Sequence, residues 1–262
     1  MKIGFIGAGK MGEAILKGFI KKNIVPKENI FIRNSCDKST KIIAERNNVN
    51  FCKDIYDLVN NSDLIIIGVK PYLITDILEK IKDIIAEKII ISMAAAVSIS
   101  DMENIIPDKK IIRIMPNTPV EVCSGVIGMC ANTFITPEEK TTIHTIFSTL
   151  GICIEIKESD MSSLTAISGS GPAYAYLFVE ALADGAVLNG LKRDISYKLA
   201  AQTLLGSAKM LLETCHHPAK LKDDVTSPAG STIEAIRILE EKGFRSAVIE
   251  CERACFEKLK KM

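Results

Sequence analysis

The sequence has no block of like charge, no long apolar run, no C-x-x-C pair, no internal repeat and no low-complexity linker. Each absence removes a class of function. Thirty-three Lys and Arg offset 32 Asp and Glu to leave a formal charge of +1 in 262 residues, so the electrostatic footprint of a nucleic-acid binder is missing. No stretch approaches the roughly 18 uncharged apolar residues of a membrane helix, and the apolar start at Met1–Gly7 reaches glycine too soon for a secretory leader. A cytoplasmic protein without membrane partner is expected. The eight cysteines are scattered and several fall inside apolar patterns, which suits reduced thiols acting as small hydrophobes. Neither Cys251 and Cys255 nor His216 and His217 complete a set of four ligands, so no metal is expected.

What is present is ample apolar content, 47%, in a chain longer than a typical single domain. The first half alternates strands and helices. Strands are expected at Lys2–Ile6, Asn29–Ile32, Leu64–Val69, Lys88–Met93, Lys110–Met115, Val126–Cys130 and Ile152–Ile156, several as near-continuous apolar runs typical of parallel strands covered on both faces. Helices are expected at Met11–Lys22, Ser39–Asn47 and Tyr72–Ile85. This alternation predicts an α/β fold with a doubly wound, Rossmann-type sheet. From Ser159 the period changes to long helices, Gly171–Leu188, Asp194–Thr214, Ser231–Lys242 and Arg245–Lys260. The expected domains are 1–158, dinucleotide-binding, and 159–262, helical. Ala173–Leu188 is apolar on most faces and calls for a large core or a second copy of the chain.

Gly7-Ala8-Gly9-Lys10-Met11-Gly12 stands directly after a strand and before a helix. In that context the first glycine makes the turn, the second admits a pyrophosphate to the backbone and the third packs helix on strand. An NAD site places a carboxylate at the end of the next strand. Here that strand ends in Arg33-Asn34-Ser35 with Lys38 nearby, which favours NADPH over NADH; Asp37 keeps open an ordinary basic loop. Three more segments end strands where open α/β sheets bind ligands: Val69-Lys70-Pro71, Ser92–Val97 with the small Ala94 and Ala95, and Arg113–Pro119 with Asn117. Lys70 and Asn117 are the polar candidates there, or plain loop chemistry.

The segment Val225-Thr226-Ser227-Pro228-Ala229-Gly230-Ser231-Thr232 sets four hydroxyls around a Pro-x-Gly turn and runs into a helical pattern, with Ser231 or Thr232 placed as its cap. Unpaired N–H groups at such a start suit a carboxylate or phosphate. The plainer reading is a helix cap after a turn.

Taken together, GFIGAGKMG, GVKP, RIMPNTP, ISGSGPAY at Ile167–Tyr174 and DDVTSPAGSTIEAI at Asp223–Ile236 resemble the pyrroline-5-carboxylate reductase family over essentially the whole chain. The resemblance implies NAD(P)H-dependent reduction of 1-pyrroline-5-carboxylate to L-proline, the last step of proline biosynthesis. It implies an all-α C-terminal dimerisation domain, with homodimers that assemble further, commonly into decamers. The substrate would lie between one subunit's nucleotide domain and helices contributed in part by its neighbour. Ser227 and the backbone N–H groups of Gly230, Ser231 and Thr232 would hold the substrate carboxylate, and Thr232 would hydrogen-bond the ring nitrogen as the catalytic hydroxyl. Two departures stand out. Ala229 replaces a glycine of the usual S-P-G-G, which costs of order 1 kcal/mol if the position needs a positive φ. Arg33 precedes Asn34, whereas many relatives have the reverse. A related reductase of another class, or a non-catalytic NADP sensor, would share the glycines but has no reason to carry the hydroxyl loop.

Overall fold

The computed structural model describes residues 1–261. Contacts divide the chain into two compact units, Met1–Ser170 with 258–261, and Gly171–Glu257.

The first unit is built on one sheet, with strands β1 Ile3–Ile6, β2 Ile30–Arg33, β3 Asn50–Phe51, β4 Leu64–Ile67, β5 Ile89–Ser92, β6 Lys110–Pro116, β7 Gly125–Ala131 and β8 Gly151–Glu155. Their order is β3-β2-β1-β4-β5-β6-β7-β8, so the chain reverses direction across the sheet between β1 and β4, where a doubly wound fold opens a crevice. Strands β1 to β6 pair in parallel. Helices α1 Lys10–Lys21, α2 Asp37–Asn47, α3 Ile55–Asn60, α4 Ile74–Ile81 and α5 Ile99–Glu103 make the crossovers. Strand β7 runs antiparallel to β6, because only a short turn around Thr118–Val122 joins them and a parallel return needs a crossover of a dozen residues or more. Helix α6, Pro137–Ser148, supplies such a crossover, and β8 is parallel to β7.

The isoleucine-rich strands fill both faces by alternation. Leu64 and Ile66 enter one core with Phe5, Phe19 and Phe147, while Ile65 and Ile67 enter the other with Leu58, Leu78 and Met102. Phe19 stands between Phe5 and Phe147 at centroid distances of 6.2 and 5.6 Å. Helices α3, α5 and α6 and strand β3 fall outside the sequence expectation. The first two and β3 are too short to show a period, while α6 announces itself only through its capping box, Thr136 with Glu139. The expected helix at Tyr72–Ile85 is instead a single turn at Pro71–Leu73 followed by α4, which stops at Ile81.

The change of period at 158/159 and the division of contacts at 170/171 differ for a physical reason. Helix α7, Met161–Leu164, inserts Met161 and Leu164 into the sheet's second core, and the following wide turn Thr165–Gly169 is tied to the loop after β6 by Asn117. These residues are helical but belong to the sheet.

The second unit comprises α8 Gly171–Leu188, α9 Arg193–Thr214, α10 Pro218–Asp224, α11 Ser231–Glu241 and, as far as Glu257, α12 Phe244–Leu259. Helices α8 and α9 are joined through Gly190 at φ 92°, Asp184 pairs with Arg193 and Phe178 stacks on Phe244 at 5.8 Å. Within the described residues Ala183 alone of α8 is buried, and Tyr176, Leu177 and Leu188 are exposed. No helix among the described residues is long and apolar enough to cross a membrane.

Phe19 is fully buried between two aromatic rings, so Phe19→Ala should lose about 3–5 kcal/mol through transfer and cavity terms together. The measurement is the urea midpoint at constant slope; a loss below about 1 kcal/mol would show that the trio can collapse onto the gap.

Candidate active site

The crevice between β1 and β4 opens into a cleft of about 680 Å³ lined by Gly7, Gly9, Lys10, Met11, Asn34 and Ser35 on one side and Gly68, Val69, Lys70 and Met93 on the other. Gly7 has φ 84°, and a Cβ there would come within 2.5 Å of Val69 Cγ1. A Cβ on Gly12 would lie 2.9 Å from the Gly7 carbonyl, which is how closely α1 packs on its strand. Gly9 is different: nothing lies within 4 Å of the Cβ position. It is the N-cap of α1 and no side chain caps the helix, so the first-turn N–H groups stand beneath open space that a side chain would have filled. That is a cradle for a diphosphate, by donors and by dipole.

The loop is held in shape from the next strand. Gly7 N–H donates to the Arg33 carbonyl at 2.8 Å and Ala8 N–H to Asn34 Oδ1 at 2.7 Å. Asn34 is fixed in turn by its own N–H on Thr40 Oγ1 at 3.0 Å. Asn34 thus lines the cleft and braces the loop. Arg33 Nη1 donates to Asp37 Oδ1 at 2.6 Å and to the Cys52 carbonyl at 3.3 Å, and the side chain lines a neighbouring cavity of about 360 Å³ that shares Gly7, Asn34, Ser35 and Val69 with the cleft. Cys36, exposed at the N-cap of α2, has its thiol pKa lowered by hydrogen bonds from the Ser39 hydroxyl and amide. Burial instead pushes Cys52 up to about 12 and Cys130 and Cys153 up to about 11, so those three remain thiols.

Other expected contacts lie off the cleft. Pro71 opens the turn beyond Lys70. Ala94 is buried, its N–H on Ser92 Oγ at 3.2 Å. Ala95 lines a separate cavity of about 60 Å³ with Ala96, Arg113, Met115, Ser162 and Thr165. Asn117 is buried and spends its amide inside the fold, donating to the Ser168 carbonyl at 2.9 Å and accepting Val126 N–H at 2.8 Å. Met93, within the expected Ser92–Val97 segment, lines the cleft, and Gly68, Ser39 and Leu73 line it without having been read from the sequence. Gly68 had a signal, since it precedes Val69-Lys70-Pro71; a Cβ there would strike Met93 Cε at 2.5 Å and the Gly7 carbonyl at 2.7 Å.

The second unit carries the hydroxyl loop. Gly230 N–H donates to the Ser227 carbonyl at 3.1 Å, closing a β-turn with Pro228 second and Ala229 third. Ala229 has φ 57°, the left-handed conformation a type II turn requires at its third position. A Cβ on Gly230 would lie 2.3 Å from Ser227 Oγ, so a side chain there would displace that hydroxyl. The N-cap of α11 is Gly230, and neither Ser231 nor Thr232, which stand in the first turn, caps the helix. The reason is the tight turn, which brings the chain into the helix one residue earlier than the hydroxyl pattern suggests. Thr226 Oγ1 is spent on the Lys222 carbonyl at 2.6 Å, whereas the hydroxyls of Ser227, Ser231 and Thr232 have no hydrogen-bond partner among the described residues. An uncapped N-terminus and three unspent hydroxyls together form an acceptor-seeking site suited to a small carboxylate.

Residues 158–262 match the family described as Pyrroline-5-carboxylate reductase dimerisation, and residues 2–96 match that described as NADP oxidoreductase coenzyme F420-dependent. The chain is 41% identical over 263 residues to the pyrroline-5-carboxylate reductase of Escherichia coli, covering 100% of this chain and 98% of that protein. It is likewise 41% identical to that of Methanosarcina acetivorans, covering 100% and 97%. Among solved structures, Plasmodium falciparum pyrroline carboxylate reductase with NADP bound superposes with a TM-score of 0.89 at 37% identity, covering 100% of this chain and 97% of that one.

The strained alanine yields a test of the loop. An L-residue at left-handed φ carries a penalty that glycine does not, so Ala229→Gly should stabilise the protein by about 0.5–1 kcal/mol. An unchanged or lowered urea midpoint would show that the loop bears no such strain.

Proposed function

The chain belongs to the pyrroline-5-carboxylate reductase family, and we propose that it reduces 1-pyrroline-5-carboxylate to L-proline with NADPH as the electron donor. The dinucleotide lies in the cleft at Gly7, Gly9, Lys10, Met11 and Gly12, and the substrate carboxylate on the loop at Ser227 and Gly230–Thr232. The observation that carries the substrate assignment is the N-terminus of α11, uncapped and ringed by hydroxyls with no internal partner.

The residues present fit a dinucleotide: a Cβ at Gly9 would occupy otherwise open space above free helix donors. Bound there, the reduced nicotinamide supplies a hydride from its C4 to the imine carbon C5 of the substrate. The chain does the rest by binding and orientation. The N–H groups of Ser231 and Thr232, at the positive end of α11, hold the carboxylate and so fix which ring carbon is presented. Thr232 Oγ1 donates to the ring nitrogen. On hydride transfer to C5 the C=N π pair would localise on nitrogen, which would take up a proton from solvent; a hydroxyl fixed there would stabilise that charge more in the transition state than in the ground state.

Selection of the 2′-phosphate falls to Arg33 with the hydroxyls of Ser35 and Ser39. Arg33 retains N–H groups beyond the Nη1 that holds Asp37 and the Cys52 carbonyl. The exposed apolar side chains of α8, with the dimerisation match over 158–262, support a homodimer through the C-terminal helices; further assembly into a decamer and a cytoplasmic location complete the reading.

Loss of reduced-nicotinamide absorbance with the cyclic imine, but not with a linear keto acid, tests the activity directly. Thr232→Val should lower kcat/KM about 10- to 150-fold, the worth of one hydrogen bond to a charging group, without changing NADPH affinity. An unchanged kcat/KM would remove Thr232 from the mechanism. Arg33→Ala should weaken NADPH about tenfold more than NADH; equal losses would mean that the arginine serves only Asp37 and the strand end.

A further inference from the structure

Glu158 lies at the start of the turn after β8, far in sequence from the glycine loop, and nothing in its neighbourhood of Lys157, Ser159 and Asp160 marks it. In the fold one carboxylate oxygen does two things. Oε1 accepts Arg113 Nη1 at 2.7 Å and the Ile99 N–H at 2.8 Å. Ile99 is the first residue of α5, so its N–H is one of the donors a helix start leaves unpaired. The segment Ala94–Val97 between β5 and α5 is therefore tied at both ends. At its entry Met93 N–H binds the Ile67 carbonyl at 3.1 Å and Ala94 N–H binds Ser92 Oγ at 3.2 Å. At its exit Ser98 and Asp101 form a capping box, and Glu158 holds the next amide.

Between these ties Ala96 sits at φ 60°. A non-glycine residue in that region persists when its surroundings over-determine it. Arg113 supplies part of that constraint: its side chain is 9% exposed, and it lines the 60 Å³ cavity with Ala95 and Ala96. Its Nε is buried with no partner among the described residues. Glu158 is the one carboxylate paired with this buried cation among the described residues. Removing it would free the Ile99 amide and leave an uncompensated charge against the loop.

We propose that Glu158 is a positioning residue that clamps the Ala94–Val97 loop, and through it sets where the nicotinamide end of the cofactor rests. The inference builds on the dinucleotide reading above: the loop follows β5 directly, beside Met93, which lines the cleft. Glu158 touches neither cofactor nor substrate and acts through Ile99 and Arg113.

The test compares wild type, Glu158→Ala and Glu158→Gln. In the cofactor-free protein, Glu158→Ala should speed amide exchange in 93–99 and leave the start of α1 as it was. It should weaken NADPH roughly tenfold while leaving adenosine 2′,5′-bisphosphate, which lacks the nicotinamide, at wild-type affinity. The kcat should fall more than KM rises. Glu158→Gln keeps an oxygen for the Ile99 amide and should recover part of the exchange protection and of the NADPH affinity. Equal weakening of both nucleotides would make Glu158 a structural residue of the domain and overturn the proposal, as would unchanged exchange in 93–99. Should wild type bind both nucleotides equally well, the dinucleotide reading of this loop fails; amide exchange then still decides whether the clamp exists.

Discussion

The chemistry of this chain depends on backbone N–H groups that the fold leaves unpaired. A helix start exposes its first-turn donors, and side chains meet some of them: Asp54 caps α3, His217 caps α10, and capping boxes close α5 and α6. Helices α1 and α11 begin at Gly9 and Gly230 and receive no side-chain cap. In each the glycine removes the side chain that would compete for the donors. The result is a partial positive charge facing open space at Gly9 and the Ser227 hydroxyl at Gly230, and both expected ligand groups, a diphosphate and a carboxylate, are anions.

Keeping such donors free requires that everything around them be fixed by other means, and several polar residues do that work. Asn34 is the clearest case. It borders the cleft, yet its Oδ1 is occupied by the Ala8 amide, so its contribution to binding is the shape of the glycine loop. Asn117 goes further, with both ends of its amide committed between Ser168 and Val126. A polar residue at the carboxyl end of a strand is thus as apt to satisfy the backbone that the sheet leaves behind as to meet a ligand.

That distinction marks where the sequence was legible and where it was not. Alternation of apolar runs with turn signals located seven of the strands, because a strand buried on both faces has few ways to be written. The glycine fingerprint located the cleft, since its constraints are steric and local: Gly7 against Val69 and Gly12 against the Gly7 carbonyl. The short helices α3 and α5 were missed because five or six residues cannot display a 3.6-residue period. Glu158 and Arg113, 45 positions apart, were invisible as a pair. An ion pair set by tertiary folding leaves no spacing to read. Cap assignment failed for a subtler reason: hydroxyl residues at 231 and 232 fit a capping pattern, but the left-handed Ala229 starts the helix one residue early and turns those hydroxyls from caps into unspent donors.

Ala229 also shows which property of the loop is indispensable. If the turn could relax to a negative φ at alanine, the side chain would have forced that relaxation, since the left-handed state is unfavourable for any L-residue. Instead φ stays at 57°. The Ser227 carbonyl to Gly230 amide bond holds the turn closed against that cost. A side chain at Gly230 would require the Ser227 hydroxyl to move, because its Cβ would lie 2.3 Å from Ser227 Oγ. Of the two positions where the family pattern has glycine, Ala229 carries a torsional cost, whereas a side chain at Gly230 would crowd the Ser227 hydroxyl. A torsional penalty of about 1 kcal/mol can be carried by a protein of this size, whereas a side chain at Gly230 would displace the Ser227 hydroxyl proposed to meet the substrate.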